Sequence, residues 1–501
     1  MRIFNLRHSM ALLVLSLAGG VLAASTNPAN DTAQAQGNTL VPAGVSRYQS
    51  TVFPDRVILL PTATPALSQR VNWRTTTLVH QAAAGDKSPP LLAEITPAGD
   101  GPGLHLQARR FNATSRQVQT DNGVSVHHQL TFTDLQPDTL YAYRVQGLGT
   151  WSEWLQFRTA KTSFAPFRAL YFGDAQNSLK SHFSRVARAA LLKAPDAALM
   201  IHAGDLVNSR YGVLDNEWGE WFDAAGWQAG MVNQLIAAGN HEYLKLNEDT
   251  PQEKRVLAPQ FNLQFGAQFG AASNGPEPLR DTVYFTDYQG VRFIVLNSTE
   301  ALENEAMAKL QAQWLEQVLS QNPQRWTVVS YHHPMFSVSQ GRDNPRLRQY
   351  WQPLFEKYGV DLALQGHDHV YGRQLAPGLN KAGTGSEQAG TVYLVSVAGP
   401  KMYLVADGAR RTMQKVAEDT QLFQLLDFQE NELTYQSFTV SGQLYDSFAL
   451  QRQPDGSKQL LETDTSKLLP ARRCGNPDMA RKAEKKCWQG DDFGLAAKAN
   501  R

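Results

Sequence analysis

Residues 197–208 read AALMIHAGDLVN, an apolar run of strand length that leads directly into Gly204 and Asp205. Related stretches recur along the second half of the chain, as FRALYFGD, QLIAAGNH, WTVVSYHHP and VDLALQGHDH. The glycine that ends most of these runs lets the backbone turn sharply, because glycine tolerates dihedral angles that other residues avoid. The repeated pattern predicts buried strands whose following loops carry polar side chains.

Amphipathic helices separate several of these strands. Apolar residues recur at three- to four-residue spacing over 179–190, 307–318 and 347–358, which is the spacing of one helix face. Continuous apolar strands that alternate with such helices predict an α/β layered domain over residues 165–450, with β-sheets flanked by helices.

Residues 47–160 follow a different pattern. Short alternating stretches are broken by Pro, Gly, Asp and Asn without helical periodicity, which predicts an all-β sandwich. The last part, LTFTDLQPDTLYAYRVQG and then WSEWLQFRTA, resembles the final strands of a fibronectin type III domain. The expected fold is therefore multidomain, with an N-terminal all-β fibronectin type III-like sandwich followed by the α/β layered domain.

The first residues of the chain predict export. Two arginines and a histidine precede an apolar stretch and small residues near Ala23, which is the layout of a signal peptide over residues 1–23. The apolar run is short for a membrane span, so an uncleaved anchor helix is the weaker alternative. Small polar residues over 24–46 predict a linker. We expect the mature protein in the periplasm or outside the cell, without a stable membrane anchor.

The C-terminal tail, residues 451–501, contains both cysteines of the chain, Cys474 and Cys487. In an oxidising compartment two nearby cysteines favour one disulfide. A zinc site is the weaker alternative, because no histidine or further cysteine lies between the two. We therefore expect a disulfide that staples the tail.

The charge balance removes one class of partner. The chain has 47 basic and 46 acidic residues and a net charge of +1, so it offers no electrostatic basis for binding nucleic acid. Any anion that the protein binds must be held by local groups.

Five loops that follow predicted strands open with residues able to bind a metal or move a proton. Loops at the carboxyl ends of strands gather at one edge of an α/β sheet, so these side chains are expected to converge. Carboxylates, an amide oxygen and imidazoles suit divalent first-row metals, and they are too many for one ion. The loops begin at Asp174, Asp205, Asn240, His332 and His367.

The order GD, GD, GNHE, HxP and GHxH resembles that of the calcineurin-like metallophosphoesterases, and the domain in front makes the chain most similar to the purple acid phosphatase branch. The resemblance implies two metal ions bridged by one carboxylate. The first ion would be bound by Asp174, Asp205 and His369, and the second by Asp205, Asn240, His332 and His367.

The resemblance also implies the activity, which is hydrolysis of small phosphomonoesters by attack of metal-bound hydroxide, as in an acid phosphatase. His241 would protonate the leaving oxygen, and Glu242 would orient His241. A phosphodiesterase or nucleotidase on the same scaffold is the alternative enzyme. A non-catalytic envelope-binding protein with a vestigial metal site is the alternative from another class.

Two positions depart from the family pattern. Asn208 stands where purple acid phosphatases carry a tyrosine whose phenolate binds ferric iron, and Gln176 stands where they carry glycine and many relatives carry histidine. A neutral amide cannot supply phenolate charge. We therefore expect two divalent ions (Mn, Zn or Fe) and no ferric-tyrosinate centre, with Gln176 and Asn208 as further candidate ligands.

Two more residues near the predicted site have open roles. His333 is expected to support the ligands or to pack beside them, since the HxP pattern assigns the ligand to His332. Arg342 lies in the loop after the histidine pair, and its guanidinium matches the geometry of phosphate oxygens. A solvated loop arginine is the alternative for Arg342.

Overall fold

The computed structural model describes residues 38–77, 90–210, 212–245, 257–261, 263–270, 272–376, 389–475 and 486–488. The predicted signal peptide lies outside the described residues. Within the predicted linker, Thr39 Oγ1 and the Leu40 N–H both donate to Glu220 Oε1, at 2.7 and 2.6 Å. The described end of the linker therefore contacts the α/β layered domain, to which Glu220 belongs.

The N-terminal domain is a sandwich of two antiparallel four-stranded sheets, ordered β1-β2-β6-β5 and β4-β3-β7-β8. A shared core that includes Val71, Trp73, Ile95, Phe132 and Tyr143 lies between them. The predicted all-β domain is confirmed. Its strands are β1 Asp55–Leu60, β2 Gln69–Thr76, β3 Leu92–Pro97, β4 Arg109–Asn112, β5 Thr114–Thr120, β6 Gly123–Phe132, β7 Leu140–Val145 and β8 Leu155–Arg158.

The second domain contains the remaining strands. They are β9 Phe167–Phe172, β10 Leu199–His202, β11 Asn233–Ile236, β12 Tyr243–Lys245, β13 Leu257–Phe261, β14 Tyr284–Tyr288, β15 Val291–Val295, β16 Trp326–Ser330, β17 Leu362–Gln365, β18 Tyr371–Leu375, β19 Val392–Val395, β20 Met402–Tyr403, β21 Lys415–Ala417, β22 Leu422–Phe428, β23 Glu432–Thr439, β24 Leu444–Arg452, β25 Lys458–Glu462 and β26 Lys486–Trp488.

The α-helices described in this domain are α1 Ser184–Lys193, α2 Asn216–Ala225, α3 Leu263–Gln268, α4 Ser298–Glu303, α5 Glu305–Ser320, α6 Pro345–Tyr350, α7 Gln352–Tyr358 and α8 Asp407–Thr412. The helical pattern over 347–358 forms two short helices, since Pro353 has no N–H to continue the hydrogen bonds of α6. Among the described helices, none is long and apolar enough to cross a bilayer.

Two seven-stranded sheets pack face to face in this domain, ordered β11-β10-β9-β22-β23-β24-β25 and β14-β15-β16-β17-β19-β18-β21. A core containing Tyr171, Ile201, Val328 and Leu364 lies between them. The outer face of the first sheet packs against α1 and α2, and that of the second against α4 to α7. The predicted α/β layered fold is confirmed, and β25 extends the first sheet beyond residue 450.

Strand direction places the five predicted loops together. Strands β9, β10 and β11 run parallel, as do β15, β16 and β17 in the other sheet. Three loops therefore leave the first sheet and two leave the second, so the site lies where the ends of two sheets meet and not at the edge of a single sheet. The Tyr171 hydroxyl joins these ends, because it donates to the Gln365 carbonyl.

The tail contains a disulfide and is attached to the second domain by a short strand. Cys474 and Cys487 are bonded, as predicted, with their Cα atoms 5.7 Å apart. Strand β26 carries Cys487 and pairs antiparallel with β20. Buried Cys487 also packs with Met402 and Val397. The short strand of the tail is therefore part of the folded domain.

A buried ion cluster joins the two domains. Arg56 and Arg74 of the sandwich place guanidinium nitrogens 2.7 and 2.8 Å from the two carboxylate oxygens of Asp215, which precedes α2. All three side chains are almost fully buried. Removing the carboxylate would take the ion-pair partner from buried Arg56 and one of two partners from Arg74, which also pairs with Asp55 at 2.6 Å.

We predict that Asp215→Ala destabilises the protein by about 3–5 kcal/mol, the usual cost of breaking a buried ion pair. The measurement is the urea midpoint of unfolding, followed by tryptophan fluorescence. The matched control is Asp196→Ala, which removes an exposed pair with Arg168 and should cost about 1 kcal/mol or less. Equal midpoints for the two variants would contradict the prediction.

Candidate metal centre

Backbone conformation directs the candidate ligands toward one point. Asp205, His367 and His369 have positive φ angles of 51°, 71° and 50°. Such angles are uncommon for residues with a Cβ, and they concentrate at functional sites. Gly366 allows the closest approach, because a Cβ at that position would collide with Asp174 Oδ1.

One half of the centre surrounds His332 Nε2. This atom lies 3.2 Å from Asp205 Oδ2, 3.1 Å from Asn240 Oδ1 and 3.1 Å from His367 Nδ1. His332 Nδ1 lies 2.8 Å from the Ala203 carbonyl and must donate to it, since a carbonyl only accepts. In neutral His332, Nε2 would therefore point a lone pair at the oxygens of Asp205 and Asn240.

The electrostatics of this half favour a cation. Burial opposes a charge on His332, but the carboxylates of Asp205 and Asp174 outweigh it and raise the pKa of His332 to about 9. A proton thus holds the cluster together in the metal-free protein. A divalent ion between the same donors would replace that proton and satisfy all four groups.

The other half of the centre lies between Asp174 and His369. Asp174 Oδ2 is 3.3 Å from His369 Nε2, and its Oδ1 accepts from the His367 N–H. Asp174 is fully buried, and this burial raises its pKa to about 7. A carboxyl whose charge is disfavoured in this way gains from an adjacent cation, so this half also fits a metal.

Comparison with known proteins agrees with this geometry. Residues 167–371 match the family model of the calcineurin-like phosphoesterases, and residues 54–159 match the purple acid phosphatase N-terminal domain. The chain carries a calcineurin-like phosphoesterase domain behind a purple acid phosphatase N-terminal domain. In its two domains the chain is thus similar to the purple acid phosphatases.

Individual relatives are distant. The protein Rv2577 of Mycobacterium tuberculosis, uncharacterized by name, is 26% identical over 337 residues, which cover 60% of this chain and 59% of that protein. Purple acid phosphatase 23 of Arabidopsis thaliana is 24% identical over 372 residues, 65% of this chain and 76% of that protein. The solved structure of PhoD covers 86% of this chain and 95% of its own, with a TM-score of 0.56 and 13% identity, and so shares the fold.

Gln176 lies inside the candidate metal centre. Its Nε2 is 2.6 Å from Asp205 Oδ2, 3.3 Å from Asp174 Oδ2 and 3.3 Å from His369 Nε2. The amide therefore takes a position at the middle of the Asp174 half of the centre. To serve as a ligand it must rotate so that Oε1 faces the ion.

Asn208 contributes through its backbone. Its carbonyl accepts a hydrogen bond from His241 Nδ1 at 2.5 Å, and its N–H donates to Glu217 Oε2 at 2.7 Å. Because Nδ1 carries the hydrogen, His241 turns Nε2 toward the centre, 3.8 Å from Asp205 Oδ2. The Asn208 carbonyl thus orients the His241 ring, a role that the sequence analysis gave to Glu242.

Glu242 has a different task in this phosphoesterase domain. Its carboxylate accepts the N–H groups of Asp205, Leu206 and Gly239 at 2.9, 2.8 and 2.7 Å. These bonds join the loops after β10 and β11, and none goes to the His241 ring. The expectation that Glu242 orients His241 is corrected, because these backbone donors hold its carboxylate.

His333 and Arg342 support the ligand loops. His333 Nδ1 lies 3.0 Å from Ser298 Oγ, and its ring centroid is 4.1 Å from that of His367. Arg342 donates to the His367 carbonyl and lies 3.2 Å from buried Asp368 Oδ1. Both residues therefore pack against the GHxH loop.

Sequence reasoning missed Lys401. Its Nζ lies 3.4 Å from Gln176 Oε1, beside the centre. The signal was available, since Lys401 follows the apolar stretch TVYLVSVAG and so stands in a sixth loop after a strand. Lysine is not a typical metal ligand, so the sequence pattern did not mark this loop as part of the candidate site.

We predict that metal uptake by the apoprotein at pH 7.5 releases protons. His332, whose pKa is raised to about 9, holds a proton below that pH and must lose it to bind a metal through Nε2. Calorimetric titration with Mn²⁺ or Zn²⁺ in two buffers of different ionisation enthalpy measures the number released. The control is the same pair of titrations on His332→Gln, which should release fewer protons. No difference between buffers for the unmodified protein would contradict the prediction.

Proposed function

We propose that this protein is an exported phosphomonoesterase that works with two divalent metal ions. The observation that carries the proposal is the convergence of five candidate ligand side chains around a sixth, Asp205, from loops of two sheets. The ligand halves are Asp174 with His369, and Asn240 with His332 and His367, with Asp205 between them.

The ligand set fits divalent ions. Gln176 and Asn208 are neutral, so two carboxylates are the only anionic groups among these candidate ligands. Such a set suits Mn²⁺, Zn²⁺ or Fe²⁺ better than a ferric ion that needs a phenolate. When bound, the ions would neutralise the phosphoryl charge and lower the pKa of water for in-line attack.

The role we assign to His241 follows from its hydrogen bonds. With Nδ1 committed to the Asn208 carbonyl, Nε2 is the atom that can exchange a proton with a substrate oxygen. Burial lowers the pKa of His241 to about 3, although Asp205 acts in the opposite direction. His241 is therefore neutral near pH 6, and the proton that it passes to the leaving oxygen must arrive on the substrate.

Export rests on the predicted signal peptide and on the disulfide. The bonded pair Cys474 and Cys487 is compatible with an oxidising compartment. The test is the fate of the chain in a bacterial host, as full-length protein and without residues 1–23. Full-length protein that stays in the cytoplasm with its first residues intact would contradict export.

The activity test uses protein stripped of metal and reloaded with Mn²⁺, Zn²⁺ or Fe²⁺. We predict turnover of an aryl monophosphate that Asp205→Ala lowers by about 10³-fold or more, because one residue serves both halves of the centre. Bound metal per protein, measured by mass spectrometry, should fall in the same variant. Asp196→Ala, on the surface, is the control for both readouts.

Two outcomes of that assay would change the proposal. No turnover with any metal contradicts an enzymatic function. If an aryl phosphodiester or a nucleotide is turned over faster than the monoester, the proposed function becomes that of a phosphodiesterase or nucleotidase on the same scaffold.

We also predict that kcat/KM for the monoester falls above about pH 6, where a phosphomonoester loses its second proton. Neutral His241 cannot supply a proton of its own at that pH. An aryl phosphodiester has no second ionisation and should not show this fall, which makes it the matched control. His241→Asn should lower monoester turnover by about 10²-fold and flatten the fall. Identical pH profiles for both substrates would contradict the transfer of a substrate proton to the leaving oxygen through His241.

A further inference from the structure

Glu217, in the first turn of α2, is a buried acid whose hydrogen bonds go to the loop after β10. Its Oε2 accepts the N–H groups of Asn208 and Ser209, at 2.7 and 2.8 Å. Glu217 is 3% exposed, so these bonds are shielded from water. One carboxylate oxygen therefore holds two successive peptide groups of the loop that begins at Asp205.

The peptide group between Asn208 and Ser209 links this carboxylate to His241. Ser209 contributes the N–H of that group, which donates to Glu217, and Asn208 contributes the carbonyl, which accepts from His241 Nδ1 at 2.5 Å. A trans peptide group is planar, so its N–H and its C=O point in opposite directions. Fixing the N–H on Glu217 therefore aims the carbonyl at the His241 ring.

The carboxylate stands on a rigid element. Trp218, the next residue of α2, and Trp221, one turn further on, are buried in the core between α2 and the first sheet. An acceptor on a packed helix is placed more precisely than one on a loop. The direction of the Asn208 carbonyl is thus set by α2 and not by its own loop alone.

The second carboxylate oxygen of Glu217 shows what the residue is used for. Oε1 is buried and has no hydrogen-bond partner among the described residues. A buried carboxyl with an unpaired oxygen is costly, and the two loop N–H groups are what Glu217 binds in return. They need an oxygen acceptor and not a charge, since a neutral carboxyl keeps a carbonyl oxygen with two lone pairs.

We propose that Glu217 is a positioning residue that orients His241 through the peptide group between Asn208 and Ser209. This inference rests on the proposed function, in which His241 passes a proton to the leaving oxygen. With the carbonyl fixed, Nδ1 carries the hydrogen and Nε2 faces the candidate centre, 3.8 Å from Asp205 Oδ2. Without the acceptor the ring can rotate or change tautomer, so the contribution of Glu217 grows with the need of the leaving group for a proton.

The test compares two substrates of the metal-loaded full protein below about pH 6, where a phosphomonoester carries a proton. 4-Nitrophenolate leaves readily without a proton, whereas phenolate leaves slowly unless it receives one. Glu217→Met removes both oxygens and fills a similar space. For this variant we expect kcat/KM for phenyl phosphate to fall about 10-fold more than kcat/KM for 4-nitrophenyl phosphate. The ratio of the two values within one variant does not depend on the fraction of folded or metal-loaded protein.

Three further variants sharpen the test. Glu217→Gln keeps an oxygen that can accept both N–H groups and should keep the ratio. Glu220→Met is the matched control, because Glu220 is another buried acid of α2 whose carboxylate binds Thr39, Leu40 and Lys180 instead of the loop after β10. The same ratio in Glu217→Met and Glu220→Met would overturn the proposal. If Glu217→Met does not fold, Glu217→Asp, which withdraws the acceptor by one methylene group, takes its place.

A second readout does not require turnover. The ¹⁵N chemical shifts of the histidine rings report which nitrogen carries the hydrogen, and the signals of His241 are those that disappear in His241→Asn. In the Zn²⁺-loaded protein and in Glu217→Gln we expect the Nδ1–H form of His241, and in Glu217→Met a mixture of both forms. An unchanged Nδ1–H form in Glu217→Met would also overturn the proposal.

The two readouts separate this inference from the proposed function. Turnover by the unmodified protein, with an unchanged substrate ratio in Glu217→Met, sustains the phosphomonoesterase and overturns the positioning role. A change of tautomer in Glu217→Met, without turnover by the unmodified protein, sustains the placement of the His241 ring by Glu217 and contradicts the enzymatic function.

Discussion

The meeting of buried carboxylates and imidazoles around Asp205 is the constraint on which the rest of this structure depends. Asp174, Asp205 and His332 are almost inaccessible to water, and their donor atoms lie close together. Such groups repel or demand protons unless a cation lies among them. The raised pKa of His332, about 9, shows the metal-free cluster drawing in a proton. Two bound divalent ions would supply the positive charge that the buried carboxylates lack in the metal-free protein.

The fold holds this cluster together from outside the ligand set. Glu242 binds backbone N–H groups of two loops, and Tyr171 joins the ends of the two sheets. These bonds spare the loops the cost of unpaired buried polar groups. Arg342 and His333 brace the GHxH loop in the same way. The candidate ligands are thus held in place by groups outside their own set, which is what a preorganised site requires.

The two ends of the described chain outside the phosphoesterase core both contribute to it. The N-terminal sandwich is joined to the region before α2 through Arg56, Arg74 and Asp215. The tail adds β26, and with it Lys486, to the rim near His369. Neither contact involves a metal ligand. The second contact lies beside the candidate centre, since the ring of Tyr403 is 4.8 Å from that of His369.

The sequence by itself determined the layered fold and the kind and order of the candidate ligands, because each of them follows an apolar strand and parallel strands bring such loops to one end. Tertiary structure alone decided that the loops come from two sheets, that Gln176 lies between the carboxylates, and that Asn208 rather than Glu242 orients His241. It also brought Lys486 to Tyr403. These outcomes depend on side-chain rotamers and on contacts between residues far apart in the chain, which no local pattern encodes.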